Sequence, residues 1–268
     1  MMQAEVIGDP IAHSKSPAIH GFWLDALGLT GRYAATRVAA EDLGTFFANR
    51  RADPDWRGCN VTIPHKLAVL DHIADPGDVR GTIGAVNTVL RQPSGELIGT
   101  NTDAAGFYAP LAEHDLAGAP VAVVGAGGAA RAVLFALARA GVGPVTLLNR
   151  SPLKAAGLLA LFGLKGDVVP LDAPLPEVAL LVNTSPLGMA GQPPLELDLS
   201  PLPEDAVVYD IVYAPLETRL LAAARARGLE TVDGLEMLIG QAALAFELFF
   251  GAAPPRERDA ELRGILTA

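Results

Sequence analysis

The chain has 268 residues, room for roughly two domains at about 150 residues each. Half the residues are hydrophobic, 19% are charged and the mean hydropathy is +0.32, which excludes a disordered chain. The net charge of -10 argues against nucleic acid or an anionic membrane surface as a partner, and a single cysteine, Cys59, excludes a disulfide framework or a cysteine-rich zinc site. In chain order, a strand is expected at 5–7. A helix follows over 16–27, with Ser16 as N-cap, Pro17 at N1 and Ile19, Phe22, Trp23 and Ala26 on one apolar face. A strand at 59–63 leads into a helix over 64–73. Strands at 121–124, 145–148, 180–182 and 206–209 then accompany helices over 129–140, 216–227 and 235–250. The strands are unbroken runs of Val, Ile and Leu, as in a parallel sheet buried on both faces. Strands and helices in alternation predict an α/β protein. The Met1-Met2-Gln3 start carries no basic and apolar leader. The most apolar stretches, broken by Arg131 and Gln241, fall short of the ~20 residues a membrane span needs. A soluble cytoplasmic protein is expected, with no membrane or nucleic-acid partner.

Residues 121–137 read as strand, glycine turn and helix. Gly125, Gly127 and Ala130 match the pattern G-x-G-x-x-G/A, with Ala126, Gly128 and Ala129 between and beside them. The first Gly allows the turn, the second lets backbone approach a pyrophosphate, and the small third residue lets helix pack on strand. The helix N-terminus offers free N–H groups to the phosphates. Which dinucleotide binds is decided about 20 residues further on, where an NAD site has an acid for the ribose 2′-hydroxyl. Here the chain reads Asn149-Arg150-Ser151, with Lys154 beyond and no acid. A guanidinium makes paired hydrogen bonds to a 2′-phosphate that a carboxylate would repel. NADP is expected over NAD.

The N-terminal half gathers polar residues at element ends. Ser14 and Ser16 precede a predicted helix; Asn60, Thr62, His65 and Lys66 follow a strand; Asn87, Thr88, Asn101, Thr102 and Asp103 add amides, hydroxyls and a carboxylate. Such a set suits a small polyhydroxylated substrate, where each hydroxyl needs a partner. Plainer readings exist for several of them. Ser16 as a helix cap, Asn60 and Thr62 as strand-end caps, Gln241 as a core amide one turn after Met237, Tyr213 as packing and Asp78 as a helix-end carboxylate all stay open. The five histidines show no metal-ligand spacing.

Taken together these segments resemble the shikimate dehydrogenase family. The resemblance runs in order through Ser14-Lys15-Ser16-Pro17, Asn60-Val61-Thr62-Ile63-Pro64-His65-Lys66, Gly84-Ala85-Val86-Asn87-Thr88, Asn101-Thr102-Asp103 and the glycine turn. It continues through Asn183-Thr184-Ser185-Pro186-Leu187-Gly188-Met189, Asp210-Ile211-Val212-Tyr213-Ala214-Pro215 and the run from Asp233 to Ala242. It implies an NADP-dependent oxidoreductase interconverting 3-dehydroshikimate and shikimate, working as a monomer or homodimer. It implies Lys66 as acid/base beside Asp103, with Ser14, Ser16, Thr62, Asn87, Asp103, Tyr213 and Gln241 holding the substrate. The cofactor would also meet Thr184, Ile211, Gly234, Met237 and Asp78. The implied fold is an α/β substrate domain (1–103, completed by helices in 234–268) joined to a Rossmann domain (104–233), with the site in the cleft. The chemistry agrees, because ketone reduction needs a proton on oxygen and a lysine ammonium can give one. A quinate-oxidising, NAD-using relative would be expected to carry an acid after the second strand or Thr at the second loop hydroxyl. A non-catalytic NADP-binding sensor would be expected to lose Lys66 or Asp103.

Overall fold

Five strands make the first of two sheets: β1 (Met2–Gly8), β2 (Gly31–Arg37), β3 (Trp56–Val61), β4 (Thr88–Arg91) and β5 (Leu97–Thr100), in the order β2-β1-β3-β4-β5. The computed structural model describes all 268 residues apart from the side chain of Lys154, so the cofactor expectation on that side chain lies outside the described residues. β1 pairs in parallel with β2 and β3, while β4 is antiparallel to β3 and to β5. This alternation gathers the polar motifs. Asn60 at the end of β3 pairs with Thr88 at the start of β4, and Thr88 pairs with Thr100 at the end of β5. Three segments far apart in sequence therefore present their polar residues at one end of the sheet.

The helices α1 (Ser16–Ala26) and α2 (Leu43–Ala52) connect the parallel strands, and the short α3 (Val79–Thr82) precedes β4. Two local expectations need correction. Ser16 is the first helical residue and Lys15 the N-cap; the Ser14 hydroxyl accepts from the Ser16 N–H at 3.3 Å, so capping falls to the earlier serine. No α-helix forms over 64–73. Lys66 lies in a turn ahead of a four-residue 3-10 helix at Ala68–Asp71. The reason is where the backbone bonds go: the Lys66 carbonyl accepts from Val86 N–H at 2.8 Å, and Leu70 N–H turns to Leu67 at 3.3 Å.

The second sheet follows α4 (Asp103–Tyr108). Its strands are β6 (Val121–Val124), β7 (Val145–Asn149), β8 (Gly166–Pro170), β9 (Leu180–Asn183), β10 (Val207–Asp210) and β11 (Glu230–Val232). All pairings are parallel, in the order β11-β10-β9-β6-β7-β8. Read from β8 this is the 3-2-1-4-5-6 order of a dinucleotide-binding fold, whose direction reverses between β6 and β9. β6, β9 and β10 are buried along their whole length, as their Val and Leu runs require. The helix α5 (Gly128–Arg139) follows β6, the short α6 (Pro152–Ala155) and α7 (Leu158–Leu161) follow β7, and α8 (Arg219–Ala226) precedes β11.

α9 (Gly234–Phe250) and α10 (Asp259–Thr267) close the chain. The chain divides into two units, Met1–Asp103 with Ile239–Ala268, and Ala104–Leu238. The first turn of α9 thus groups with the second unit, whereas the sequence reading puts residue 234 with the first domain. The first unit has an aromatic core that includes Trp23, Phe47, Trp56 and Phe246, all almost wholly buried. Among the described residues no helix is long and apolar enough to cross a membrane.

Candidate active site

In the first unit the polar end of the sheet holds a connected set. Lys66 Nζ donates to Asp103 Oδ2 at 2.5 Å, with the two side chains 13% and 6% exposed. Charge pairing and near-complete burial make this contact stronger than a surface ion pair. Asn87 Nδ2 donates to Asp103 Oδ1 at 2.9 Å and lies 3.3 Å from Gln241 Oε1, which α9 brings in from 154 residues away. Four of the expected substrate residues, Lys66, Asn87, Asp103 and Gln241, therefore meet. Ser14 lies on the connection after β1, with Ser16 opening α1, and Thr62 comes just after β3. The segments leaving β1 and β3 run side by side, with Thr62 N–H donating to Ile7 carbonyl at 2.9 Å and Asp9 N–H to Ile63 carbonyl at 3.1 Å.

Four residues that sequence reasoning gave no partner complete the network. Thr102 N–H donates to Asn87 Oδ1 at 2.7 Å, and its hydroxyl accepts from Asn87 Nδ2 at 2.9 Å. Asn60 bonds Thr88 and Tyr33, and its nitrogen also reaches the Asn87 carbonyl at 3.3 Å. Thr88 and Thr102 sit inside recognised motifs, but their partners are set by strand pairing, which no local pattern displays. Asp78 has φ +49 and caps α3 by accepting from Gly81 N–H at 3.1 Å, as the plainer reading of this exposed carboxylate has it.

In the second unit the β6–α5 turn fits a dinucleotide pyrophosphate. Gly125 has φ +101, and a Cβ there would lie 2.9 Å from Thr184 Oγ1 and 3.1 Å from Ser185 N, so glycine is required. At Gly127 an added Cβ would meet nothing within 4 Å, which leaves open space beside the backbone for a ligand. The N–H groups of Gly128, Ala129 and Ala130 precede the first intrahelical bond, made by Arg131 to the Gly127 carbonyl at 3.2 Å, and have no acceptor within α5. Thr184 is committed elsewhere: its hydroxyl donates to the Val124 carbonyl at 2.6 Å, building the wall behind the turn. At the end of β7, Asn149 Nδ2 donates to the Ser151 carbonyl at 2.9 Å, and the exposed Arg150 has no ion-pair partner among the described residues. A free guanidinium at that strand end fits a 2′-phosphate. Ile211 and Gly234 come together, an added Cβ on Gly234 falling 2.4 Å from the Ile211 carbonyl, while Met237 is buried one turn into α9. Tyr213 follows β10, half-buried, and burial raises its phenol above the usual range. Asp210 beside it is fully buried; it accepts from Asn183 Nδ2 at 2.9 Å, Val212 N–H at 3.0 Å and Thr218 hydroxyl at 2.7 Å.

Residues 6–89 match the family model of the shikimate dehydrogenase substrate binding domain, and residues 234–261 that of the shikimate 5′-dehydrogenase C-terminal domain. A curated relative, the shikimate dehydrogenase (NADP(+)) of Sphingopyxis alaskensis, is 76% identical over 99% of this chain and 97% of its own. Among solved structures, shikimate 5-dehydrogenase from Thermus thermophilus in complex with NADP(H) and shikimate superposes with a TM-score of 0.88. It is 42% identical, and the match covers 99% of this chain and 100% of that one. Quinate dehydrogenase from Corynebacterium glutamicum in complex with NAD has a TM-score of 0.87 and 32% identity, over 98% and 99% of the two chains.

Proposed function

The chain belongs to the shikimate dehydrogenase family, and from that premise we propose that it interconverts 3-dehydroshikimate and shikimate with NADP. The first unit acts as the substrate domain and the second as the cofactor domain. Bound NADPH supplies the hydride that reduces the ketone carbon. The observation that carries the reading is the buried Lys66–Asp103 pair at 2.5 Å. Lys66 has three N–H bonds and gives one to Asp103, which leaves donors for the ketone oxygen. As that oxygen gains negative charge, the ammonium hands it a proton; in the oxidation direction the neutral amine takes the proton back. Asp103 orients the amine and balances its charge through the cycle. Asn87, held against Asp103 and Gln241, and Gln241 itself face the ring hydroxyls, with Thr62 and Tyr213 adding hydroxyl partners. Ser14 and Ser16 take the substrate carboxylate. Gly125–Ala130 hold the pyrophosphate, with Asn149, Arg150 and Ser151 at the 2′-phosphate; Thr184, Ile211, Gly234 and Met237 line the rest of the cofactor site. Asp78, exposed and capping α3 through one oxygen, keeps its second oxygen for the cofactor.

Cofactor choice rests on Arg150 and the missing acid after β7. A panel read at 340 nm, pairing shikimate or quinate with NADP⁺ or NAD⁺, tests both halves of the proposal. Shikimate with NADP⁺ is expected to give the highest kcat/KM by at least about tenfold, the worth of one charged hydrogen bond. A preference for quinate or for NAD⁺ would overturn the corresponding half.

A further inference from the structure

Behind the substrate residues runs a buried line of hydrogen bonds that has a direction. It starts at Tyr33 on β2, whose hydroxyl donates to Asn60 Oδ1 at 2.6 Å. Burial, with Cys59 and Glu5 nearby, keeps that phenol protonated, so it can only be the donor to an amide oxygen. With its oxygen taken, Asn60 turns its nitrogen the other way and donates to Thr88 Oγ1 at 3.0 Å and to the Asn87 carbonyl at 3.3 Å. A hydroxyl that accepts from an amide has its own proton left to give, and Thr88 gives it to Asn87 Oδ1 at 3.0 Å. The Thr102 N–H donates to the same oxygen at 2.7 Å. Two donors on the oxygen leave Asn87 Nδ2 facing Asp103 Oδ1 at 2.9 Å, and Asp103 is left with Oδ2 for Lys66.

An amide is nearly symmetric in shape, so packing alone does not tell Asn87 which end to point at Asp103. Turned over, it would set its oxygen against the carboxylate, two acceptors with no proton between them. We propose that Tyr33 and Thr88 are positioning residues for the reaction: the chain Tyr33 to Asn60 to Thr88, acting together with the Thr102 N–H, holds the Asn87 amide in its orientation and thereby the face that Asp103 offers to Lys66. None of the three needs to touch the substrate for this. The inference rests on the activity proposed above and adds the groups that aim its machinery.

Thr88→Val keeps the shape of the side chain and removes the proton. Its kcat/KM for shikimate is expected to fall about tenfold, the cost of one buried hydrogen bond. With one of its two donors gone, the Asn87 oxygen is held by the Thr102 N–H alone and the amide's grip on Asp103 Oδ1 loosens, so the acid limb of the kcat profile should move to higher pH by about half a unit or more. Thr88→Ser should restore both readings, and Tyr33→Phe should shift both in the same direction by a smaller amount, about threefold in kcat/KM. If Thr88→Val does not fold, Thr88→Ala carries the same expectation without the added methyl. A Thr88 variant with the wild-type acid limb, whatever its activity, overturns the proposal, and so does a serine variant that restores neither reading. Tyr33→Phe indistinguishable from wild type removes Tyr33 from it. The wild-type enzyme is assayed first with shikimate and NADP⁺. Failure there sinks the activity itself, whereas an unaltered Thr88 variant in an active background sinks only the positioning role.

Discussion

A lysine that gives one of its three N–H bonds to a carboxylate is both held and still useful, and Lys66 is in that state. Cutting the side chain back to alanine removes the proton donor while Asp103 keeps Asn87 as a partner, so the fold has little reason to fail. Lys66→Ala is expected to lower kcat by about 10²-fold or more, the usual worth of a positioned acid/base group. Its melting temperature should stay within a few degrees of the parent. Steady-state assays beside a thermal melt check this, and near-normal turnover would end the assignment. Arg150 makes the opposite kind of prediction, since it concerns binding alone. Arg150→Ala should raise the KM for NADP⁺ by roughly ten- to a hundredfold, the range for a hydrogen bond to a charged group, with the KM for NAD⁺ and for shikimate little changed. Equal losses with both cofactors would place the guanidinium away from the 2′-phosphate.

At the level of elements, the β6–α5 turn separates two glycines that a sequence pattern treats alike. Gly125 is needed by the fold, because its φ of +101 and the nearby Thr184 and Ser185 leave no room for a side chain. The fold makes no such demand at Gly127, since its φ of -83 suits any residue and its Cβ direction is open; only the proposed approach of a pyrophosphate calls for glycine there. Gly125→Ala is therefore expected to destabilise the protein by about 1–3 kcal/mol. Gly127→Val should melt like the parent and bind NADP⁺ at least about tenfold more weakly in a titration of intrinsic fluorescence. Similar losses of stability in both variants would refute the distinction. The same contrast explains what the sequence displays. β6, β9 and β10 are legible because each is buried on both faces and so reads as an unbroken apolar run. β2 and β8 are sheet edges whose residues alternate with or face solvent, and their Gly, Arg, Asp and Pro content hides them. The misread helix at 64–73 has amphipathic spacing; a distant N–H, that of Val86, takes the Lys66 carbonyl and breaks the ladder. The motif residues of the site are legible because catalysis demands particular side chains. Asn60 and Thr88 stand inside the motifs, but their hydrogen-bond partners, and the part of Tyr33 altogether, come from tertiary packing and sheet register, which nothing local displays.

For the molecule as a whole, the acid limit of stability is set where folding buries a group that water would charge. His20 is the clearest case. Its ring stacks on Tyr33 at 3.8 Å, edge-on to Trp23, and packs against Phe246, Phe249 and Phe250. Neither ring nitrogen has a hydrogen-bond partner among the described residues. Burial pushes the imidazole down from 6.5 to about 3. Between those values the unfolded chain binds a proton that the folded chain refuses, so stability rises with pH across that window. The neutral ring's contribution is fully present above pH 6.5 and is lost as pH falls toward 3, at ~1.4 kcal/mol per unit, up to ~5 kcal/mol in all. Asp210 works the other way, since burial raises its carboxyl and its folded form holds a proton longer than the unfolded one, which favours the folded state as pH falls. His20→Phe keeps an aromatic ring in the cage and removes the titration. Urea unfolding of parent and variant between pH 7 and 4.5 is expected to show a shallower acid loss in the variant, the gap closing by ~1 kcal/mol or more for each pH unit below 6. The absolute stability at pH 7 can move either way with the extra ring volume, so the slope is the quantity to compare. Parallel slopes would mean that the protein takes up the His20 proton without unfolding, through an opening of the aromatic cage that leaves the rest of the first unit intact.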